Sequence, residues 1–414
     1  MKLLGEELVA FRQTDGKVGV VGARCAHRRA HLFWGRNEEN GIRCVYHGWK
    51  FDCQGHCIDM PSEPEESNFK DKVRIPAYPT YEVGGVVWAY LGPLDKKPAP
   101  PLFAWTQVPP EQRAMSKVWQ QCNWLQALEG GIDTAHTAFL HSGRPPLLRA
   151  ADRAAGRPER DLSLSPTVEV VPTDYGFCYG GIREIADTST RDVRAYHWIM
   201  PFHSFLAYGE NGGNGGHMWV PMDDENTMGY NRSALFKDPP EEASLGAPRW
   251  QGGQQEAEAP RVTDGPDAAL WLRDARLPVG NGNEFGVDVD VTRNFRSTRN
   301  ADNRYLIDRE LQRTQTYSGI PGTNTQDRAI QESMGGIADR TLERLGTTDR
   351  AIIHARRALL KAVRTVQDGG EPPGVAPTYY KVRGYQATLP TNVNWFEAMR
   401  AKLYDRGARV EIAP

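Results

Sequence analysis

Two short motifs in the first fifty residues combine cysteine with histidine. Cys25 and His27 are separated by one residue, and Cys44 and His47, which follow after sixteen residues, are separated by two. Two thiolates and two imidazoles at this spacing suit a [2Fe–2S] cluster in which two histidines replace two cysteines on one iron. A structural zinc ion takes the same donor set and is the alternative. The supply of one cysteine and one histidine by each motif favours the cluster.

Four cysteines stand outside these motifs. They are Cys53, Cys57, Cys122 and Cys178. Their scattered spacing is not that of a disulfide framework, so we expect free thiols. A second metal site at Cys53 and Cys57 is the alternative.

A further group of metal-binding residue types lies at Asp133, His136 and His141. Five residues rotate an ideal helix by about 140°, so the two histidines converge only where the helix ends or bulges between them. Two such histidines and a carboxylate from elsewhere form a facial triad for non-haem Fe(II), with coordination positions left open. Asp133 shares a helical face with His136 and can hydrogen-bond its outer nitrogen. Taken singly, each residue is more often an ordinary surface or core residue.

The carboxylate of the triad must come from further along the chain. Asp327, which we place at the start of a helix over 327–345, is the first candidate, and it is selected by the resemblance described below. Helix capping is the alternative for an aspartate in such a position. Asp308 is the second candidate for the ligand.

Length and composition indicate a soluble protein of two domains. The chain has 414 residues, of which 39% are hydrophobic and 25% charged, and its formal net charge is −2. This balance gives no reason to expect nucleic acid or an anionic membrane as a partner. Since no apolar run approaches the roughly 20 residues of a membrane span, and the start is too acidic for a signal peptide, we expect a cytoplasmic protein.

The elements around the first two motifs are predicted to be short strands with tight turns. Asp15 and Gly16 indicate a two-residue hairpin turn between strands. The expected strands are 7–14, 17–21, 42–46, 49–53 and 83–91. The proline-rich stretch 93–110 reads as a linker, and we set the boundary of the first domain at residue 112.

The remainder, 113–414, is predicted to combine an antiparallel sheet with helices. The expected strands are 167–171, 176–185, 194–201, 216–222 and 228–236, and the expected helices are 123–140, 327–345 and 349–366. In the second helix, Ile330, Met334 and Ile337 recur at helical spacing. The chain is therefore predicted to be of the α+β class.

The motifs together resemble a known family. Cys-x-His-Arg at 25–28 and Cys-x-x-His-Gly-Trp at 44–49 resemble the cluster loops of Rieske proteins. Ala30 and Tyr46 stand where respiratory Rieske proteins carry an extra bridged pair of cysteines, which favours the oxygenase type. Asp-x-x-His-x(4)-His at 133–141 and Gln-Asp at 326–327 resemble the iron site of Rieske non-haem iron ring-hydroxylating oxygenases, α subunit, in the phthalate dioxygenase-like or phenoxybenzoate dioxygenase-like branch.

The resemblance implies an all-β Rieske domain over 1–112 and a catalytic domain of helix-grip type over 113–414. It implies a [2Fe–2S] cluster and mononuclear Fe(II), with electrons from NADH delivered by a flavin and iron–sulfur reductase. Family members are rings of α subunits, so a homotrimer or hexamer is expected. Asp133 would bridge a cluster histidine, His27 or His47, of one subunit to His136 of the next. Asn123 would face the iron pocket, and an exposed helix-start residue is the alternative.

The implied reaction is the insertion of both atoms of O₂ into an aromatic carboxylate during aromatic hydrocarbon catabolism. The phthalate, phenoxybenzoate and benzoate types are the expected substrates. Arg183 and Arg194 are the candidates for holding the carboxylate, because arginine binds it in a bidentate way; solvated arginines are the alternative. O-demethylation of a methoxylated aromatic acid uses the same two irons and is the second candidate. A Rieske electron carrier without enzymatic activity is the third candidate. It would need only the first ~110 residues, so the remaining part of the chain argues against it.

Overall fold

The computed structural model describes residues 1–100, 103–142, 163–186, 188–208, 213–235, 289–290, 293–375 and 381–404. The chain forms two compact units. The first is Met1–Pro101 with Pro221–Asp223, and the second is Leu102–Val220 with Asp224–Pro414. Phe103 and Trp105 are buried and already belong to the second unit, so the proline-rich stretch is not a free linker throughout. The units therefore divide slightly before residue 112.

The first unit is built from ten short strands and no α-helix within its described residues. The strands are β1 (Lys2–Leu3), β2 (Glu6–Arg12), β3 (Val18–Gly22), β4 (Arg36–Glu38), β5 (Gly41–Arg43), β6 (Lys50–Phe51), β7 (Cys57–Asp59), β8 (Ala77–Tyr78), β9 (Thr80–Val83) and β10 (Val86–Ala89). They form antiparallel sheets in the orders β1-β2-β3-β8, β4-β5-β6-β7 and β10-β9. Alternation along β2 buries Val9 and Phe11 in the core.

The predicted hairpin is present, but its turn is longer than two residues. The backbone N–H of Gln13 donates to the carbonyl of Lys17 at 2.8 Å, so residues 13–17 form the connection. Asp15 accepts a hydrogen bond from the backbone of Lys17, and Gly16 adopts a positive φ of 88°. The sequence therefore located the turn correctly and underestimated its length.

Within its described residues, the second unit contains a ten-stranded sheet. Its strands are β11 (Arg113–Gln120), β12 (Thr167–Thr173), β13 (Gly176–Glu184), β14 (Thr190–Ile199), β15 (His203–Tyr208), β16 (Gly213–Pro221), β17 (Thr227–Leu235), β18 (Val289–Asp290), β19 (Arg296–Ser297) and β20 (Tyr385–Pro390). The order is β12-β13-β14-β15-β16-β17-β11-β19-β18, and β20 pairs with β14. The long pairings are antiparallel, and β11 meets β19 in parallel.

Five α-helices accompany this sheet in the described residues. They are α1 (Trp124–Ile132), α2 (Arg309–Thr314), α3 (Thr323–Ser333), α4 (Arg350–Gln367) and α5 (Trp395–Leu403). Leu128 of α1 and Ala355 of α4 share one core with Trp198 and Trp219 of the sheet. The α+β class is confirmed. None of the helices in these ranges is both long and apolar enough to span a membrane.

The helix predicted over 327–345 is wrong at both ends. Helix α3 begins four residues earlier, at Thr323, and ends at Ser333, because Gly335 takes a positive φ of 91°. Ile330, Met334 and Ile337 are exposed. The buried face of α3 is polar instead; its residues are Thr325, Gln326, Arg328, Ala329 and Gln331. Hydrophobic periodicity therefore identified the solvent side of this helix.

Candidate metal centres

The two cysteine–histidine motifs of the first unit form two loops with the same backbone pairing. In each loop the backbone N–H of the cysteine donates to the carbonyl of the residue five positions later. The carbonyl of the cysteine accepts from the backbone N–H of the residue four positions later. The pairs are Cys25 N to Ala30 O, Arg29 N to Cys25 O, Cys44 N to Trp49 O and Gly48 N to Cys44 O. Arg29 and Gly48 both adopt positive φ, at 63° and 78°. A Cβ at Gly48 would lie 2.7 Å from Pro61 Cγ, so the second loop requires glycine.

These loops bury the sulfurs and turn the imidazoles outward. Cys25 and Cys44 are buried, whereas His27 is exposed and His47 half-buried. The histidine rings lie side by side, with centroids 4.4 Å apart, and His27 stacks on Trp49 at 4.5 Å. Two inner sulfur donors and two outer nitrogen donors match a cluster with thiolates on one iron and imidazoles on the other.

The electrostatics of the cysteines fit the same group. Burial and the neighbouring Cys44 thiol raise the pKa of Cys25 to about 11. A thiolate is therefore unfavourable at this position unless a cation neutralises it, as the irons of a cluster do. None of the six cysteines forms a disulfide, which agrees with the prediction for Cys53, Cys57, Cys122 and Cys178.

In the second unit, His136, His141 and Asp327 converge at one point. The two Nε2 atoms are 3.0 Å apart, and Asp327 Oδ1 lies 3.5 Å from that of His136 and 3.2 Å from that of His141. Ligands at about 2.1 Å from a metal and at right angles to each other stand about 3 Å apart. The three atoms thus form a triangle of the size of an octahedral face, which suits a facial triad.

Both histidines follow the end of α1, which lies earlier than the sequence predicted. The helix ends at Ile132, Asp133 is extended, and a short 3₁₀ turn over His136–Ala138 follows. Asp133 closes this reversal, since its Oδ1 accepts the backbone N–H of Ala135 at 2.6 Å. Its Oδ2 lies 3.2 Å from His136 Nδ1. The contact expected along one helical face is therefore made through a turn.

Gln326 is a site residue that the sequence analysis named only as part of the Gln-Asp motif and gave no role. Its Oε1 lies 2.7 Å from His141 Nδ1, and its amide donates to the carbonyl of Ile320 at 2.7 Å. The second bond fixes the amide orientation, so Oε1 accepts the proton of Nδ1 and leaves Nε2 unprotonated. Asp133 does the same for His136. The only signal in the sequence was the position of this amide directly before Asp327.

The capping alternative applies to Asp308 rather than to Asp327. Asp308 precedes α2 and accepts the N–H groups of Glu310 and Leu311 at 2.8 and 2.9 Å, so it is a helix cap. Asp327 lies inside α3, beyond the first turn. Burial alone would raise the pKa of Asp327, but His141 and the other nearby histidines outweigh it and hold the pKa below its ordinary value.

Two other predicted residues have structural partners. Asn123 caps α1: its Oδ1 accepts from Leu125 N at 2.9 Å and its amide donates to Asp224 O at 2.7 Å, so the alternative of a helix-start residue is present, and its place at an iron pocket stays a prediction. Arg183 is buried and its guanidinium donates to the carbonyl and hydroxyl of Thr134. It is therefore bound to the turn that carries His136, which corrects its assignment to the substrate.

Arg194 differs from Arg183 because part of its side chain stays accessible. Its Nε lies 3.6 Å from Asp192 Oδ2, and about a third of the side chain is exposed, 34%. Its role in substrate binding stays a prediction.

Two glycines allow α1 to approach its neighbours closely. A Cβ at Gly130 would lie 2.0 Å from Gln331 Nε2 of α3, and a Cβ at Gly131 would lie 1.7 Å from Trp219 of β16. Gln331 bonds to Gln120, and Gln126 donates to the carbonyl of Gln331 at 3.0 Å. This buried amide cluster of Gln120, Gln126 and Gln331 fixes α3, and with it Asp327, against the helix that precedes the two histidines.

Comparison with known proteins agrees with both centres. Residues 1–79 match the Rieske [2Fe-2S] domain, and residues 89–240 and 280–411 match the family described as LigXa C-terminal domain like. The chain is 37% identical to the 3-chlorobenzoate-3,4-dioxygenase oxygenase subunit of Comamonas testosteroni, over 97% of this chain and 88% of that protein. It is 36% identical to the phthalate 4,5-dioxygenase oxygenase subunit of Pseudomonas putida, over 95% and 84%.

The chain is also similar to an oxygenase subunit whose name gives a reaction other than dioxygenation. The 5,5'-dehydrodivanillate O-demethylase oxygenase subunit of Sphingobium sp. (strain NBRC 103272 / SYK-6) is 28% identical over 91% of this chain and 73% of its own length. Oxygenase subunits of this kind carry a Rieske [2Fe–2S] cluster and mononuclear iron and receive electrons from NADH through a reductase. From its two matched domains and its relatives, the chain belongs to the Rieske non-haem iron ring-hydroxylating oxygenases, as an oxygenase subunit.

Proposed function

We propose that this protein is the terminal oxygenase of a multicomponent system that inserts both atoms of O₂ into an aromatic carboxylate of the phthalate, phenoxybenzoate or benzoate type. The observation that carries the proposal is the convergence of His136, His141 and Asp327 in a chain that also holds the Rieske loops. The names of the chlorobenzoate and phthalate relatives support the substrate class. Its electrons would come from an NADH-dependent reductase, and the cytoplasm is the proposed compartment.

We assign the cluster to Cys25, His27, Cys44 and His47, and the iron to the triad. When bound, the cluster supplies electrons singly and the ferrous ion offers open positions for O₂. The chain itself orients the donors: Asp133 and Gln326 hold the Nδ1 protons so that both Nε2 atoms face the metal. In a homotrimer or hexamer, Asp133 would further connect His136 to a cluster histidine of the next subunit.

O-demethylation of a methoxylated aromatic acid is the second candidate. The similarity to the dehydrodivanillate O-demethylase subunit favours it, and the ligand set is the same for both reactions. Arg194 is the remaining arginine candidate for the carboxylate in either case.

Mass spectrometry of products separates the candidates. Iron-loaded protein, NADH, a phthalate-type reductase and ¹⁸O₂ are incubated with benzoates, phthalates, phenoxybenzoates and methoxybenzoates. Two labelled oxygens in one product establish dioxygenation. Release of formaldehyde together with an unlabelled phenolic acid establishes O-demethylation, because hydroxylation of the methyl carbon gives a hemiacetal that expels the oxygen taken from O₂ as part of the formaldehyde. Absence of product from protein whose cluster is still reduced by the reductase would contradict the proposed substrate class.

A further inference from the structure

His217 occupies an unusual position for a polar residue. It lies on β16, an interior strand of the large sheet, between β15 and β17. Its neighbours Met218 and Trp219 are buried, yet the His217 side chain is partly accessible. The accessible part of His217 lies on the same face as Trp219, which packs in one core with residues of α1.

That face of the sheet meets the end of the helix that leads to the iron triad. Trp219 projects from the same side of β16 as His217 and stacks on its ring at 4.9 Å. Trp219 also contacts Gly131, at the end of α1 that leads into His136. Through Trp219, the His217 ring therefore lies on the side of the sheet that meets the end of α1, five residues before His136.

One nitrogen of the ring is fixed by a chain of hydrogen bonds. Asn231 donates through Nδ2 to Ser116 Oγ at 3.3 Å, so its Oδ1 faces His217 Nδ1 at 2.9 Å. Nδ1 must then carry the proton, and Nε2 is left as an acceptor. Among the residues that the structure describes, Nε2 makes no hydrogen bond. Burial lowers the pKa of His217, which keeps the imidazole neutral.

We propose that His217 is a specificity-determining residue whose Nε2 accepts a hydrogen bond from a hydroxyl substituent of the aromatic acid. The inference rests on the proposed function and narrows it to hydroxylated aromatic acids. A neutral acceptor attracts an O–H group and does not attract a carboxylate, so the group recognised here differs from the acid function itself. The stack on Trp219 holds the ring at a fixed angle, as a selective hydrogen bond requires.

Binding measurements test this without turnover. Dissociation constants are measured by anaerobic calorimetry on the iron-loaded protein for 2-, 3- and 4-hydroxybenzoate and for the matching fluorobenzoates. One hydrogen bond corresponds to a preference of about five- to tenfold for one hydroxy isomer over its fluoro counterpart. His217→Phe keeps the aromatic stack and removes the acceptor, so the preference should fall to about one, with unchanged iron content.

Two further variants make the result specific. Ser204 lies opposite His217 on β15, and its hydroxyl has no hydrogen-bond partner among the described residues, so Ser204→Ala should keep the preference. Asn231→Leu removes the acceptor that keeps the proton on His217 Nδ1, so it should partly reduce the preference for the hydroxy isomer. This variant also tests the inference if His217→Phe does not fold.

The outcomes separate this inference from the proposed function. An equal preference in wild type and His217→Phe, or none in wild type, overturns the role of His217 while the oxygenase assignment stands. Absence of binding by every aromatic acid contradicts the proposed substrate class, and the inference fails with it.

Discussion

Replacing Gln326 with leucine tests how the chain prepares its iron ligands. The 2.7 Å contact to His141 Nδ1 is at the short end for N–H···O bonds, and Gln326 is itself held by Ile320. Leucine has a similar volume but no acceptor. His141 then loses the bond that selects its tautomer and orients its ring. Loss of such a partner typically lowers metal affinity 10- to 100-fold, or about 1.4–2.7 kcal/mol of binding free energy.

The assay is an anaerobic titration of Fe(II) into protein whose mononuclear iron has been removed, in competition with a chromophoric chelator. The visible absorbance of the Rieske cluster reports in the same cuvette whether the first unit is intact. Gln326→Glu retains an oxygen acceptor for His141 Nδ1 but loses the donor to Ile320, so its Fe(II) affinity should lie between those of Gln326→Leu and wild type. Ile330→Ala, on the exposed side of α3, controls for general effects on the helix and should bind Fe(II) normally.

Wild-type affinity in Gln326→Leu would refute this reasoning. The orientation of His141 would then be fixed by packing around the ring, and the hydrogen bond would be incidental. A loss of affinity accompanied by loss of the cluster absorbance would instead indicate that the whole protein is damaged. In that case, an Fe(II) affinity of Gln326→Glu as high as that of wild type would refute the role of the Ile320 bond in fixing the acceptor.

The remaining predictions concern the other contacts of the catalytic unit. His136→Ala should lose the mononuclear iron and keep the cluster, as measured by iron analysis and visible absorbance. Asp133→Ala removes the partner of His136 Nδ1, so it should keep the cluster, bind Fe(II) about 10- to 100-fold more weakly and stop product formation even at saturating Fe(II); normal coupled turnover of the iron-saturated variant would exclude the bridging role. Glu129 binds Arg340 and Arg356 while it is itself buried, so Glu129→Gln should lower the free energy of unfolding by about 2–4 kcal/mol in urea titrations. Burial lowers the pKa of His197 from 6.5 to about 3, so only the unfolded chain takes up its proton as the pH falls below 6.5. The contribution of neutral His197 to the free energy of unfolding is therefore complete above that pH and is about 2 kcal/mol smaller at pH 5. In His197→Gln the free energy of unfolding should fall less steeply below pH 6.5, by the slope that corresponds to about one proton.

The residue types of the two centres could be predicted because metal chemistry restricts them. Few side chains bind iron, so cysteine, histidine and aspartate at these spacings carry information that does not depend on the fold. The order in which His136 and His141 follow a helix also indicated a break, and the structure has one. The spacing could not show where the helix breaks. A contact between Asp133 and His136 is possible in a continuous helix as well as in the turn that the structure contains.

The supporting residues could not be predicted in the same way. Gln326 bonds to His141 and Arg183 bonds to Thr134, and both partners are distant in sequence. Without those contacts, a glutamine on a helix or an arginine on a strand is most often a surface residue. Their function depends on three-dimensional contacts alone. For Asn123 and Asp308 the ordinary explanation, a helix cap, is what the structure contains.

Helix α3 shows why a hydrophobic pattern misleads most where a ligand must be positioned. Its buried side is formed largely by polar residues, and the amide cluster of Gln120, Gln126 and Gln331 joins it to α1. Apolar contacts tolerate small shifts in register, whereas hydrogen bonds between buried amides do not, because a displaced amide would remain unsatisfied. Asp327 must meet two histidines from a segment almost two hundred residues away, to within a few tenths of an ångström. A directional polar interface satisfies that requirement, and it is the type of interface that leaves no periodic signal in the sequence.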